Sequence, residues 1–175
     1  MAFDFTVGGQ SANSFGSVAD ADAYFAARGI DSWSGENSAK EAALLVGADY
    51  LLNAYRGQWC FKRSDRDQPL PFPAKDVVDA DGRSWADTVI PPQVAHAQFQ
   101  AALQHVLGVD LMPAVSGGKI VSESAGAGPA QSSTTFADHG PGTGEAPKFP
   151  IIERLLRGLV AGNSGGFGSM PLARG

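Results

Sequence analysis

Basic and aromatic residues interleave between positions 56 and 67. Arg56, Lys62, Arg63 and Arg66 alternate with Trp59 and Phe61. Cations pair with phosphates and ring faces stack on bases, so this is the residue set of a single-strand nucleic-acid platform. The same stretch holds Asp65 and Asp67, which leaves a net +2 over four cations and two anions. A solvated loop whose arginines pair with those aspartates is the competing reading.

Other chemistry is sparse. His96 and His105 fall nine positions apart on one helical pattern, so they point in roughly opposite directions and cannot share a metal. His139 sits in a Gly/Pro-rich stretch. A surface or interface role is expected for all three histidines. Cys60 lies between Trp59 and Phe61. With no histidine close by in sequence, it is expected to be a buried structural thiol. A single cysteine excludes an intrachain disulfide and a cysteine-based zinc site. Asp79-Ala80-Asp81-Gly82 reads as a turn and resembles the start of a calcium loop, but Arg83 to Pro92 supply no bidentate Glu. Gly-x-Ser-x-Gly, the phosphate loop and the dinucleotide fingerprint are all missing. The expectation is a protein without catalytic residues, metal or cofactor.

Bulk composition narrows the class. Hydrophobic residues make up 43% of the 175, enough for a core, and no apolar run approaches the roughly 20 residues of a membrane span. The net charge of -5 argues against general adhesion to nucleic acid or to anionic lipid. Gly and Pro total 33 and concentrate in the last third, so a compact N-terminal part should precede a loop-rich C-terminal part. Met1-Ala2-Phe3-Asp4 has no basic region of the kind that opens a signal peptide. The one cysteine fits a reducing interior.

The elements follow from spacing. Residues 1–16 read as an N-terminal arm anchored by Phe3, Phe5 and Phe15. Ser17 and Asp20 form a capping-box start for a helix carrying Ala21, Tyr24 and Phe25 and ending at Arg28-Gly29. Trp33 is expected to pack in the core. Ser38 and Glu41 form a second capping box, opening a helix with Leu44, Ala48, Leu51, Leu52 and Tyr55 on one side and Gly57 at its end. Pro69, Pro71 and Pro73 keep the following segment extended. Pro91-Pro92 begin a helix with Ala95, Phe99, Ala102, Leu103 and Val106 on one face, ending at Gly108. Its other face is Gln93, His96, Gln100 and Gln104, and no charged residue lies between Pro91 and Val109. An uncharged helix face predicts close packing, with these four as a possible subunit interface. Residues 119–123 and 131–136 read as a hairpin, and Phe149-Pro150-Ile151 starts a last apolar helix. The whole is a mainly α fold: a small bundle of about four helices with a short β-hairpin insertion and extended arms. Its segments are an arm (1–16), a helical core (17–116), hairpin and linker (117–148), a C-terminal helix (149–160) and a flexible docking tail (161–175).

Several short motifs in this order carry a family resemblance. They are Asp-Ala-Tyr-Phe (22–25), Lys-Glu-Ala-Ala-Leu-Leu (40–45), Asp-Tyr-Leu (49–51), Tyr-Arg-Gly-Gln-Trp (55–59), Gln68 to Pro73, Asp81-Gly82 and Ile-Pro-Pro-Gln-Val (90–94). Over residues 15–107 the chain resembles tailed-phage head–tail connector (adaptor) proteins, often labelled DnaT-like single-stranded-DNA-binding proteins. It departs from that pattern at Phe72-Pro73-Ala74, where Trp-Pro-Arg is expected.

The resemblance implies a structural virion protein of the phage neck, made in the host bacterial cytoplasm. Such subunits form a homo-oligomeric ring, usually of about twelve copies, beneath the portal protein. The ring extends the channel for genomic double-stranded DNA and offers a surface to a tail-completion or tail-terminator protein. At -5 per copy such a ring would carry about -60, which lets phosphate slide past. The tail, with Phe167, Met170, Leu172 and Arg174 spaced through Gly, Ser and Pro, is the expected portal-docking element. The rival is the literal meaning of the label: a single-strand binder of replication or recombination, contacting nucleic acid through Arg56, Lys62, Arg63 and Arg66.

Overall fold

A computed structural model describes residues 2–112 and 146–161 with their side chains, and between them the backbone of two strands. The helices are α1 (Val18–Ala26), α2 (Asn37–Ala54), α3 (Pro92–Val106) and α4 (Pro150–Leu155). The strands are β1 (Lys62–Arg63), β2 (Ala74–Lys75), β3 (Ile120–Ala125) and β4 (Ser132–Phe136). β1 pairs antiparallel with β2, and β3 antiparallel with β4. The architecture is thus mainly helical, four helices with an antiparallel hairpin, as the periodicity predicts.

The start of α1 is written in the sequence. Ser17 Oγ accepts from Asp20 N at 3.1 Å, and the Asp20 carboxylate accepts from Ser17 N at 3.0 Å. Its end is a Schellman turn: Ile30 N donates to Phe25 O, Gly29 N donates to Ala26 O, and Gly29 takes φ +62°. α3 ends in the same way, with Val109 N on Gln104 O, Gly108 N on His105 O and Gly108 at φ +85°. α2 does not start as the sequence predicts. Its first residue is Asn37, the N-cap is Glu36, and no side chain caps it. Ser38 therefore lies inside the first turn, two positions past the cap, which overturns the second capping box.

α3 is the axis of the fold. Val94, Ala97 and Ala101 share a core with Ile152, Leu156 and Leu159 on the α4 side. Phe99, Ala102 and Leu103 share a second core with Ala21, Tyr24, Phe25 and Trp33 on the α1 side. α2 contributes to both cores, through Ala48 and Leu51 to the first and Ala43 and Leu44 to the second. α2 and α3 pack so closely that Gly47 has no room for a side chain: a Cβ there would sit 2.7 Å from the Gln98 carbonyl oxygen.

The N-terminal residues are less extended than an arm. Asp4 O accepts from both Asn13 N and Ser14 N, and Asn13 Oδ1 accepts from Asp4 N, closing a loop. Ala12 and Phe15 are buried under it, whereas Phe5 is exposed. The last described residues return to the body as an edge: Cys60 N donates to Leu159 O and Ala161 N to Gln58 O. The linker at 137–145, including His139, and the tail from 162 lie outside the described residues. So do Phe167, Met170, Leu172 and Arg174.

Candidate nucleic-acid interface and the uncharged helix

The basic–aromatic segment divides by burial. Arg56, Lys62, Arg63 and Arg66 are all exposed, while Trp59 and Phe61 are half-buried. Trp59 meets Phe72 edge-on at 5.5 Å between centroids, and Phe61 lies 6.4 Å from the same ring. Phe72 is fully buried, and both aromatics are half-buried with a face packed against that core. Cys60 is exposed, which overturns its expected burial. It follows Trp59 on the edge that pairs with 159–161, and strand alternation turns neighbouring side chains to opposite sides.

The polar loop beneath is organised by Gln68. Its side chain is buried, with Nε2 donating to Leu70 O and Pro73 O, and Oε1 accepting from Asp65 N. Arg63 Nη1 donates to Gln68 O at 3.0 Å. None of the loop arginines pairs with Asp65 or Asp67; the only ion pair among the described residues is Lys40–Asp22. The ladder also sets Lys62 directly opposite Lys75, so two exposed ammonium groups share one face of the hairpin. Like charges in that relation repel, and a bound anion relieves them.

The uncharged face of α3 is largely satisfied within the chain. Gln98 is fully buried: Oε1 accepts from Phe15 N at 2.9 Å, and Nε2 donates to Ser14 Oγ and Leu44 O. One side chain thus joins the N-terminal loop, α2 and α3. Gln100 is buried as well and donates from Nε2 to Tyr24 Oη. His96 stacks on Tyr24 at 4.4 Å, and the Arg28 guanidinium sits 3.5 Å over the Tyr24 ring. Burial, with Arg28 nearby, holds the His96 pKa below its ordinary value. Gln104 and Gln93 are half-buried. Gln93 Oε1 is buried without a hydrogen-bond partner. Of the four possible interface residues, Gln100 is therefore spent inside the chain, and Gln93 alone carries an unsatisfied buried atom.

The Asp79 turn is a self-contained knot. Its carboxylate accepts from Asp81 N, Arg83 N and Trp85 Nε1, and these donors, the Arg83 amide first, hold its pKa below the usual carboxylate value. Among the described residues no three His, Cys, Asp or Glu are grouped to hold a metal, and no helix is long and apolar enough to cross a membrane. Sequence reading missed Gln98, Gln68 and Lys75. Gln98 sits among apolar neighbours at helical spacing, the one signal that was present.

A family model described as "Putative DnaT-like ssDNA binding protein" matches residues 3–175. The chain belongs to this family. No curated protein and no solved structure matches it. The short motifs singled out in the sequence are core builders of this fold. Tyr24 and Phe25 fill the α1 side, Tyr55 and Phe72 the α4 side, and Gln68 holds the loop between Phe61 and Phe72.

Proposed function

We propose that this DnaT-like protein is a structural subunit of a phage neck, a head–tail connector that binds below the portal and extends the DNA channel. The observation that carries this reading is that Trp59 and Phe61 are half-buried with their rings packed against Phe72, which leaves less ring face open. A single-strand platform needs ring faces open to bases. The chain's charge of -5 supports the same reading, because a sequence-independent DNA binder draws its affinity from released counterions on a basic face. Two further features suit a ring subunit. The β3–β4 hairpin is inserted between firmly held limbs, with Leu111 buried before it and Pro147 O accepting from Tyr50 Oη after it. The tail from 161 to 175 offers Phe167, Met170, Leu172 and Arg174 to a groove of the portal. A terminator or other neck protein would take the far side.

The second reading is single-strand binding, and the family's description is closer to it than to the first. The specific observation in its favour is the facing pair Lys62 and Lys75, with Arg63 next in β1 and no carboxylate paired to them among the described residues. Fluorescence anisotropy with a labelled single-stranded oligonucleotide separates the two. The connector reading expects no sub-micromolar binding at about 0.15 M salt. Tight binding that falls steeply with salt, and is lost in the Lys62→Ala, Lys75→Ala double variant, decides for the second.

A further inference from the structure

The strands β3 and β4 pair with each other and with nothing else. Among the described residues neither approaches a helix or the β1–β2 pair. A lone two-stranded hairpin is marginal in water; it needs further strands, or an apolar face packed on a helix, to be stable. The hairpin therefore depends on a partner that the described residues of one chain do not provide.

The register decides which kind of partner. Ser122 pairs with Thr135 and Ser124 with Ser133, so one face carries hydroxyl residues only. The other face holds Glu123 with Thr134 and Ala125 with Ser132. Ile120 and Phe136 pair at the end, beyond an irregularity between Ile120 and Ser122. Neither face is the apolar surface that packs on a helix. What remains is the backbone edge. Each strand is paired along one side, and its other side is a row of N–H and C=O groups ready for another strand. Such edges are normally guarded by charge, proline or a bulge. β4 reads Ser-Ser-Thr-Thr-Phe, with no charge and no proline, and the irregularity lies in β3.

β1 and β2 are two residues each and already paired, so they cannot supply the missing strand. A second copy can, in three ways. β3 against β3 brings the two Glu123 residues close, and like charges repel. β4 against β4 satisfies one edge per copy, leaves both β3 edges open and stops at a dimer. β3 against the next copy's β4 sets Glu123 beside neutral Ser and Thr residues. It also needs no chain reversal: β3 and β4 run antiparallel, so two hairpins side by side in one orientation bring β3 next to an antiparallel β4. Each copy then uses both of its edges. Such a contact is heterologous and closes into a ring when the rotation permits, and a closed sheet has no edge left.

We propose that β3 of one copy adds to β4 of the next, so that the hairpins of successive copies form one continuous antiparallel sheet. The partner is a second copy of this chain, held by backbone hydrogen bonds along Ile120–Ala125 and Ser132–Phe136. This contact deepens the connector reading and rests on it only for closure into a ring.

The test uses the full chain with Cys60→Ser, so that introduced thiols are the only ones. Copies carrying Ser124→Cys are mixed in turn with copies carrying Ser132→Cys, Ser133→Cys, Thr134→Cys or Thr135→Cys, then mildly oxidised. A disulfide needs about 4.4–6.8 Å between Cα atoms, which neighbouring strands meet and second neighbours, about 9–10 Å apart, do not. At least one mixture is expected to give a disulfide-linked heterodimer, and no variant alone should. In sedimentation velocity, Ser133→Lys with Thr135→Lys, which guards the β4 edge, is expected to weaken self-association about tenfold. The same variant should melt with wild type, since the hairpin lies outside both helical cores. Cross-linking of a β4 variant with itself assigns β4–β4 pairing and overturns the proposal. Assembly with no cross-link in any mixture, and with the lysine variant assembling like wild type, overturns it too and leaves the connector reading standing. A wild type that stays monomeric at the highest attainable concentration also overturns the contact; the connector reading is then judged by the ring beneath the portal in particles.

Discussion

The backbone of α3 passes so close to Gly47 that a methyl group there would meet the Gln98 carbonyl oxygen at 2.7 Å and the Ala102 amide nitrogen at 3.0 Å. Both are main-chain atoms of a helix and cannot swing aside. Gly47→Ala gains helix propensity of about 1 kcal/mol. It must also push α2 from α3 along their whole contact, and overpacking of this kind costs about 1–3 kcal/mol. The expected outcome is a net loss of stability in urea unfolding. A more stable variant would show that the two helices have slack.

Gln98 makes the second prediction. Replacing it by Leu keeps the volume but strands Phe15 N–H in a buried place, while Ser14 Oγ keeps Gly16 O and Leu44 O stays inside the α2 ladder. An unsatisfied buried group costs about 1–3 kcal/mol, and the variant should lose an amount in that range. Amide exchange at Phe15 should rise beyond the global change, since its acceptor is gone. Unchanged protection at Phe15 would mean the amide has another partner.

Much of this was legible in the sequence. Helix positions, the Ser17–Asp20 box, the Gly29 and Gly108 stops and the hairpin strands all follow from local pattern, because they rest on contacts within a few residues. What the sequence hid is non-local. Gln98 looks polar until Phe15 and Leu44, far away in the chain, close around it. Cys60 looks buried between two aromatics until the edge pairing with 159–161 turns it out. Lys62 and Lys75 face each other only once β1 and β2 are in register. Ser38 failed for a local reason: α2 takes its first turn from Asn37, so the hydroxyl arrives after the cap position.

A third prediction concerns the Asp22 carboxylate, which accepts from Trp33 Nε1 and pairs with Lys40 at 2.9 Å. Burial works against its charge, but Lys40 and Trp33 prevail and hold its pKa below the usual value. Asp22→Ala should cost about 1–2 kcal/mol and loosen the Trp33 loop, read as a shift in tryptophan emission. The contribution is present above the ordinary carboxylate value and is lost as pH falls through the lowered one. A variant whose stability matches wild type at pH 7 would place Trp33's support elsewhere.

His96 gives the pH dependence near neutrality. Its folded-state value lies below the ordinary 6.5, from burial and the Arg28 cation. The unfolded chain takes the proton first. Stability from the neutral ring is therefore complete above about pH 6.5 and is lost as pH falls through the folded value. The melting temperature should drop between about pH 7 and 5. His96→Phe, which keeps a ring on Tyr24, should flatten that slope. An equal slope in both proteins would assign the pH dependence to another group.

The connector reading stands or falls on one image. Electron microscopy of the purified full-length protein, concentrated and alone, is expected to show closed rings with a central opening wide enough for a DNA duplex. Particles carrying the protein should show the same ring directly beneath the portal. Dispersed monomers that coat single-stranded DNA, with no ring in particles or in solution, would contradict the account and favour single-strand binding as the function.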